Sequence, residues 1–215
     1  ARAELKPTQA LVLFWWAGFE ARLHILRRFA VDRNVLIQEL GDVFALAAAV
    51  ASVALHIFTR PERPPKTVGV HPTFPLFVRI AYVWLLASAC ISLSAAVWDR
   101  AGGLWGASRH ALTVGFISTM VFAIGQRVLP AFCGMRMLFS PALMFSALAC
   151  LNLGCLLRVG SEIGAYEGYA PALWKVLPVS AVIEMTAMTL FAANLLITFR
   201  QIPPHLRNVA REQPV

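Results

Sequence analysis

Apolar residues run in long blocks along this chain, and ionisable residues fall between the blocks. Residues 80–98, 111–126 and 137–157 contain no Asp, Glu, Lys, Arg or His. Residues 176–199 contain a single one, Glu184, and the uncharged run 43–55 continues through His56 to Phe58. Blocks of this length match the roughly 20 residues that a helix needs to cross a bilayer. The pattern predicts six helices: 9–29, 39–59, 74–98, 109–129, 138–159 and 172–199. The first turns amphipathic after Phe19, where Glu20, Arg22, His24, Arg27 and Arg28 intervene, so it either spans or lies in the interface.

Breaks are expected where Pro and Gly cluster. Pro61, Pro64 and Pro65 follow the second helix, Gly102 and Gly103 the third, and Pro130 and Gly134 the fourth. Gly160, Gly164 and Gly168 are read as filling the next loop. Pro141 and Pro178 fall near helix starts, where a missing N–H is harmless. The expected fold is all-α: a single membrane domain over 1–215, a polytopic bundle of five to six spans, because lipid leaves no partner for unpaired backbone groups.

Composition agrees. Hydrophobic residues make up 59% of the 215, charged residues 14%, and mean hydropathy is +0.67. Soluble domains carry about a quarter charged residues. The net charge of +8 points away from nucleic acid here, since the cations sit at helix ends where anionic headgroups meet them. With six spans, eleven Lys and Arg lie on the side of the termini and eight on the other, which favours cytoplasmic termini. The chain opens on Ala1 without a signal-peptide pattern, as expected of a processed or truncated product.

Little points to catalysis. The sequence has no nucleophile–base constellation, phosphate loop or zinc spacing. Cys90, Cys150 and Cys155 lie in apolar helices and read as small packing residues, with Cys133 in a turn. Cys133, Met135 and Met137 alternate around that turn and form a weak candidate for copper, which soft sulfur ligands suit. Glu184 sits near the middle of the last helix, where a carboxyl is costly; it is a candidate proton relay or a buried structural hydrogen-bonder. Asn152 and Asn194 are expected to bond between helices. Trp84, Trp98, Trp105 and Trp174 are assigned to an interfacial belt.

His110 opens the fourth block and Arg127 closes it, with sixteen uncharged residues between them. His110, Thr113, Ile117, Met120, Ile124 and Arg127 share one stripe at helical spacing, expected to face protein or a cofactor carboxylate. Helices alternate direction, so two histidines can reach one iron only from the same side. His110 can pair with His24, oriented by Glu20, but not with His56, about 30 Å away across the bilayer.

The stretch 110–158 resembles the NnrS family of bacterial membrane proteins. The residues that carry the resemblance are His110-Ala111-Leu112-Thr113-Val114-Gly115, Thr119-Met120, Arg127, Gly134, Leu151-Asn152-Leu153 and Leu156-Leu157-Arg158-Val159. It covers about a quarter of the chain. Phe132 stands where that family has a histidine, and the chain corresponds to a C-terminal half of the family's length. The resemblance implies a bacterial inner membrane and a haem- and copper-associated accessory role in respiratory or nitric-oxide-related redox processes such as denitrification. It makes His110 the axial ligand of a haem b, with His24 and Arg127 as its other contacts. The alternative is a cofactor-free subunit of a larger respiratory or photosynthetic membrane complex, packed through small-residue faces such as Ala47–Ala51 and Gly115. A small transporter with Glu184 in a proton path is a third reading. Each makes other membrane subunits and the lipid bilayer the expected partners.

Overall fold

The computed structural model describes residues 70–99, 101–135 and 138–201, together with Val43, Ala47, Val50, Ala51, Ser52, Ala54, Ile57 and Phe58. The expected first helix, most of the second, and His24, His56 and Met137 lie outside the described residues. Every regular element among those described is helical, and four helices are long and apolar enough to cross a membrane.

Helix α1 runs Phe74–Trp98 and begins with a Pro in its first turn. Asp99 ends it with extended backbone, and Gly102, at φ 83°, turns the chain through a conformation that L side chains avoid. Helix α2 is one rod, Gly103–Phe132. Its middle, Ala111–Ser118, is wound as a π-helix between two α-helical ends. Helix α3, Pro141–Tyr166, starts at Ser140, whose Oγ accepts the Leu143 N–H at 3.3 Å. A 3₁₀ turn, Pro171–Lys175, leads into α4, Val176–Arg200.

Two predicted breaks come later than expected, at Gly134 and Gly168, where φ is 70° and 78°. Pro130 lies inside α2, in its last turn, where its carbonyl accepts the N–H groups of Cys133 and Met135. Gly160 and Gly164 lie inside α3, which runs one and a half to two turns past its expected end at 159. At Gly164 the reason is contact, because a Cβ there would strike the Leu173 side chain. Close approach, and not a turn, explains that glycine.

The core runs through the middle of the bundle. Phe122 and Ala123 of α2, Met144, Ala147, Leu148 and Leu151 of α3, and Ala187 and Leu195 of α4 form one cluster with Phe77 of α1. Phe122 stacks on Phe191 with ring centroids 4.2 Å apart. The outer faces are equally apolar: Val121, Leu156, Val182 and Met185 are each more than half exposed. Apolar surface on both sides of a helix fits a bilayer and not water.

Trp98, Tyr166, Tyr169 and Trp174 gather where α1 meets α2 and α3 meets the 3₁₀ turn, as an interfacial belt requires. Trp84 is not part of it. It lies mid-way along α1, and its Nε1 donates to Asn152 Oδ1 of α3 at 2.9 Å. Its ring fills the notch at Gly115, where a Cβ would come within 2.5 Å of Trp84 Cγ.

Candidate functional site: an intramembrane histidine–carboxylate cluster

The first turns of α2 pack on the last turns of α3 through small residues. Ala107 and Ala111 are fully buried against Cys155 and Val159. A Cβ on Gly103 would lie 2.9 Å from Tyr166 Cβ, and one on Gly106 would overlap the Glu162 carboxylate. Glycine at 106 therefore makes room for an acid between the helices.

Glu162 fills that room. Its side chain is 9% exposed, and Oε2 lies 2.8 Å from His110 Nδ1. The same ring nitrogen is 3.1 Å from the Gly106 carbonyl, toward which the N–H is directed. The carboxylate thus lies against the Nδ1 edge of the ring beside that hydrogen bond. Arg158, one turn earlier on α3, brings Nε to 3.8 Å from the same Oε2, within ion-pair range and beyond a hydrogen bond. Cys155 Sγ lies 3.8 Å from the His110 carbonyl.

Glu184 lies deeper, on α4. Its Cγ occupies the notch at Gly154 of α3, where an added Cβ would be 2.6 Å away. Oε1 is buried and has no hydrogen-bond partner. Among the described residues, His110 and Arg158 are the ionisable groups near enough to act on it.

Arg127 belongs elsewhere. A rise of about 1.5 Å per residue separates it from His110 by more than 20 Å along α2. It is exposed, with its guanidinium 5.5 Å from the centre of the Phe74 ring. One haem edge cannot span that distance, so His110 and Arg127 do not share a cofactor. The expected stripe also fails as a buried face: Thr113, Ile117, Ile124 and Arg127 are all exposed. The buried line is Ala107, Ala111, Gly115, Thr119 and Ala123. An α-helix drifts about 40° over each four-residue step, and the wider π turns correct that drift.

Cys133 is exposed and Met135 is buried, so these two side chains part at the turn; Met137 lies outside the described residues. Among the described residues no three His, Cys, Asp or Glu side chains converge as a metal site.

A second polar cluster stands at the far end of the bundle. Asn194 Nδ2 donates to Gln126 Oε1 and to the Ser140 carbonyl, both at 3.0 Å. Its Oδ1 accepts the Ser140 N–H at 3.1 Å, and Thr198 Oγ1 accepts the Phe139 N–H at 2.9 Å. These contacts fasten the start of α3 to α4, and they are structural.

Glu162 and Gly106 are the functional residues that sequence reasoning missed. Glu162 lies between Gly160 and Gly164, in the stretch whose glycines predict a loop. Its four-residue spacing from Arg158 is the signal that places both on one helical face.

The chain matches a family described as a domain of unknown function, DUF8744, over residues 44–200. It belongs to the DUF8744 family. That match takes in the whole 110–158 stretch, and no match to NnrS accompanies it, so the resemblance to NnrS is withdrawn. Apolar helices draw on few residue types, and a short motif inside one coincides easily. The nitric-oxide and denitrification roles rested on that resemblance and go with it. No curated protein and no solved structure matches the DUF8744 chain.

Proposed function

We propose that this chain is a multi-pass protein of a bacterial cytoplasmic membrane that holds a haem-type iron on His110 and serves a larger respiratory membrane complex as a redox accessory. The observation that carries the reading is the fixing of one ring nitrogen. The Nδ1–H of His110 is directed at the Gly106 carbonyl with the Glu162 carboxylate beside it, which puts the lone pair of the neutral ring on Nε2. Ligating histidines are oriented in this way, with the second nitrogen bonded to a carbonyl or carboxylate. The ring is about a third exposed, so Nε2 can meet a flat group at the bundle surface. Bound haem would supply one-electron chemistry. The residues of the chain orient the ring, and Arg158 offers a cation on the same face. A second ligand would come from His24, which lies outside the described residues, or from another subunit.

The test is the absorption spectrum of the purified protein from haem-replete cells. A Soret band that follows the polypeptide, is lost in His110→Ala and shifts in Glu162→Gln is expected. A wild-type protein without the band ends the haem reading and moves the function to a cofactor-free membrane subunit. A band unchanged in His110→Ala ends the ligand assignment.

A further inference from the structure

Glu184 stands where an ionised carboxylate is least tolerable. It is close to the middle of the Pro171–Arg200 span, and Gly154, against which it packs, is close to the middle of Pro141–Tyr166. Its neighbours Val182 and Met185 are 65% and 67% exposed on the apolar outside of the bundle. No N–H or O–H donates to its buried Oε1. A carboxylate in hydrocarbon without donors is far costlier than the acid, which carries its own proton.

Ionisable groups lead from it toward the aromatic end. Gly154, Arg158 and Glu162 succeed one another at four-residue steps up α3, and His110 meets Glu162 from α2. One turn further, at the aromatic end, Asp99 and Glu167 share a hydrogen bond. In the opposite direction along α3 come Leu151, Leu148, Ala147 and Met144, all buried and apolar. Among the described residues, the ionisable groups close enough to act on Glu184 are His110 on α2 and Arg158 and Cys155 on α3.

We propose that Glu184 is a proton-binding site at the middle of the membrane, reached from the end where α1 turns into α2 and closed toward the other end by the Leu151–Met144 core. The step is the gain or loss of one proton at the carboxyl, with no redox partner. The site stands on the geometry around Gly154 and does not depend on whether His110 carries iron.

The test uses the full chain in sealed vesicles and dicyclohexylcarbodiimide, which enters from lipid and modifies protonated buried carboxyls. Peptide mass spectrometry should find the adduct on Glu184 and its loss in Glu184→Gln, a variant checked for insertion and helix content. Acidifying only the compartment that faces Asp99 should raise labelling, and acidifying only the other should not. Absence of an adduct on wild-type Glu184 overturns the site. Labelling that follows the pH of the other compartment overturns the route. Equal labelling by a water-soluble carbodiimide overturns the burial on which both rest.

Discussion

His110 Nδ1 lies 2.8 Å from Glu162 Oε2, across the contact between α2 and α3, about two turns from the start of α2 and one from the end of α3. The two members of this pair are not equivalent. Glu162 is nearly buried, whereas His110 is about a third exposed. Removing the histidine strands a buried carboxylate with Arg158 only at 3.8 Å. Removing the acid's charge leaves a ring that still donates to the Gly106 carbonyl. His110→Ala is therefore expected to destabilise by about 2 kcal/mol and Glu162→Gln by about 1 kcal/mol. Unfolding midpoints in detergent check the order, and the reverse order would refute the asymmetry.

Two glycines on α2 separate site geometry from stability. A Cβ on Gly106 meets only the carboxylate end of Glu162, which can swing aside, whereas a Cβ on Gly115 meets the Trp84 ring at 2.5 and 2.7 Å and its Cβ at 2.8 Å. Gly115→Ala should cost about 1–3 kcal/mol, because a ring bonded to Asn152 cannot yield. Gly106→Ala should cost less than about 1 kcal/mol yet part Glu162 from His110. Comparing melting temperatures with the ring resonances of His110 distinguishes them.

Asn194→Leu should destabilise by about 1–3 kcal/mol, because it leaves the Ser140 N–H and Gln126 Oε1 without their partner and the Ser140 carbonyl with the Met144 N–H alone. Gln126→Leu in the same chain should add little, since the two amides act as a pair. Fully additive effects in that double-mutant cycle would show that the cluster is not cooperative.

Asp99 gives the fold a pH dependence at the aqueous end. Burial alone would raise its carboxyl; the N–H of Trp105, the Glu167 carboxyl and the N–H of Gly102 outweigh that and hold it below its ordinary 3.8. A depressed value means that the ionised form stabilises the fold. That stabilisation is complete above pH 3.8 and fades as the pH falls through the lower folded value. Asp99→Asn should thus be less stable than wild type at neutral pH, by about 1 kcal/mol as for a lost helix cap, and the gap should close in acid. A gap that persists at the acid end would refute the carboxylate's role.

Fold class, the four helices and their apolar outer faces were legible in the sequence because bilayer thickness fixes how long an uncharged run must be. His110 was legible as well, since an ionisable ring at the edge of such a run has few uses. The sequence could not show what His110 faces. The partner depends on α3 continuing past Gly160 and Gly164, and glycine in sequence marks a turn and a close helix contact alike. Nor did spacing reveal which face of α2 is buried. A 3.6-residue count places Arg127 on the His110 stripe, but the π turns at Ala111–Ser118 move the buried line to Ala107, Ala111, Gly115 and Thr119. The winding of a helix answers to what it packs against. Only the tertiary structure, through the Trp84 ring in the Gly115 notch and the Glu162 carboxylate over Gly106, decided where the polar groups meet.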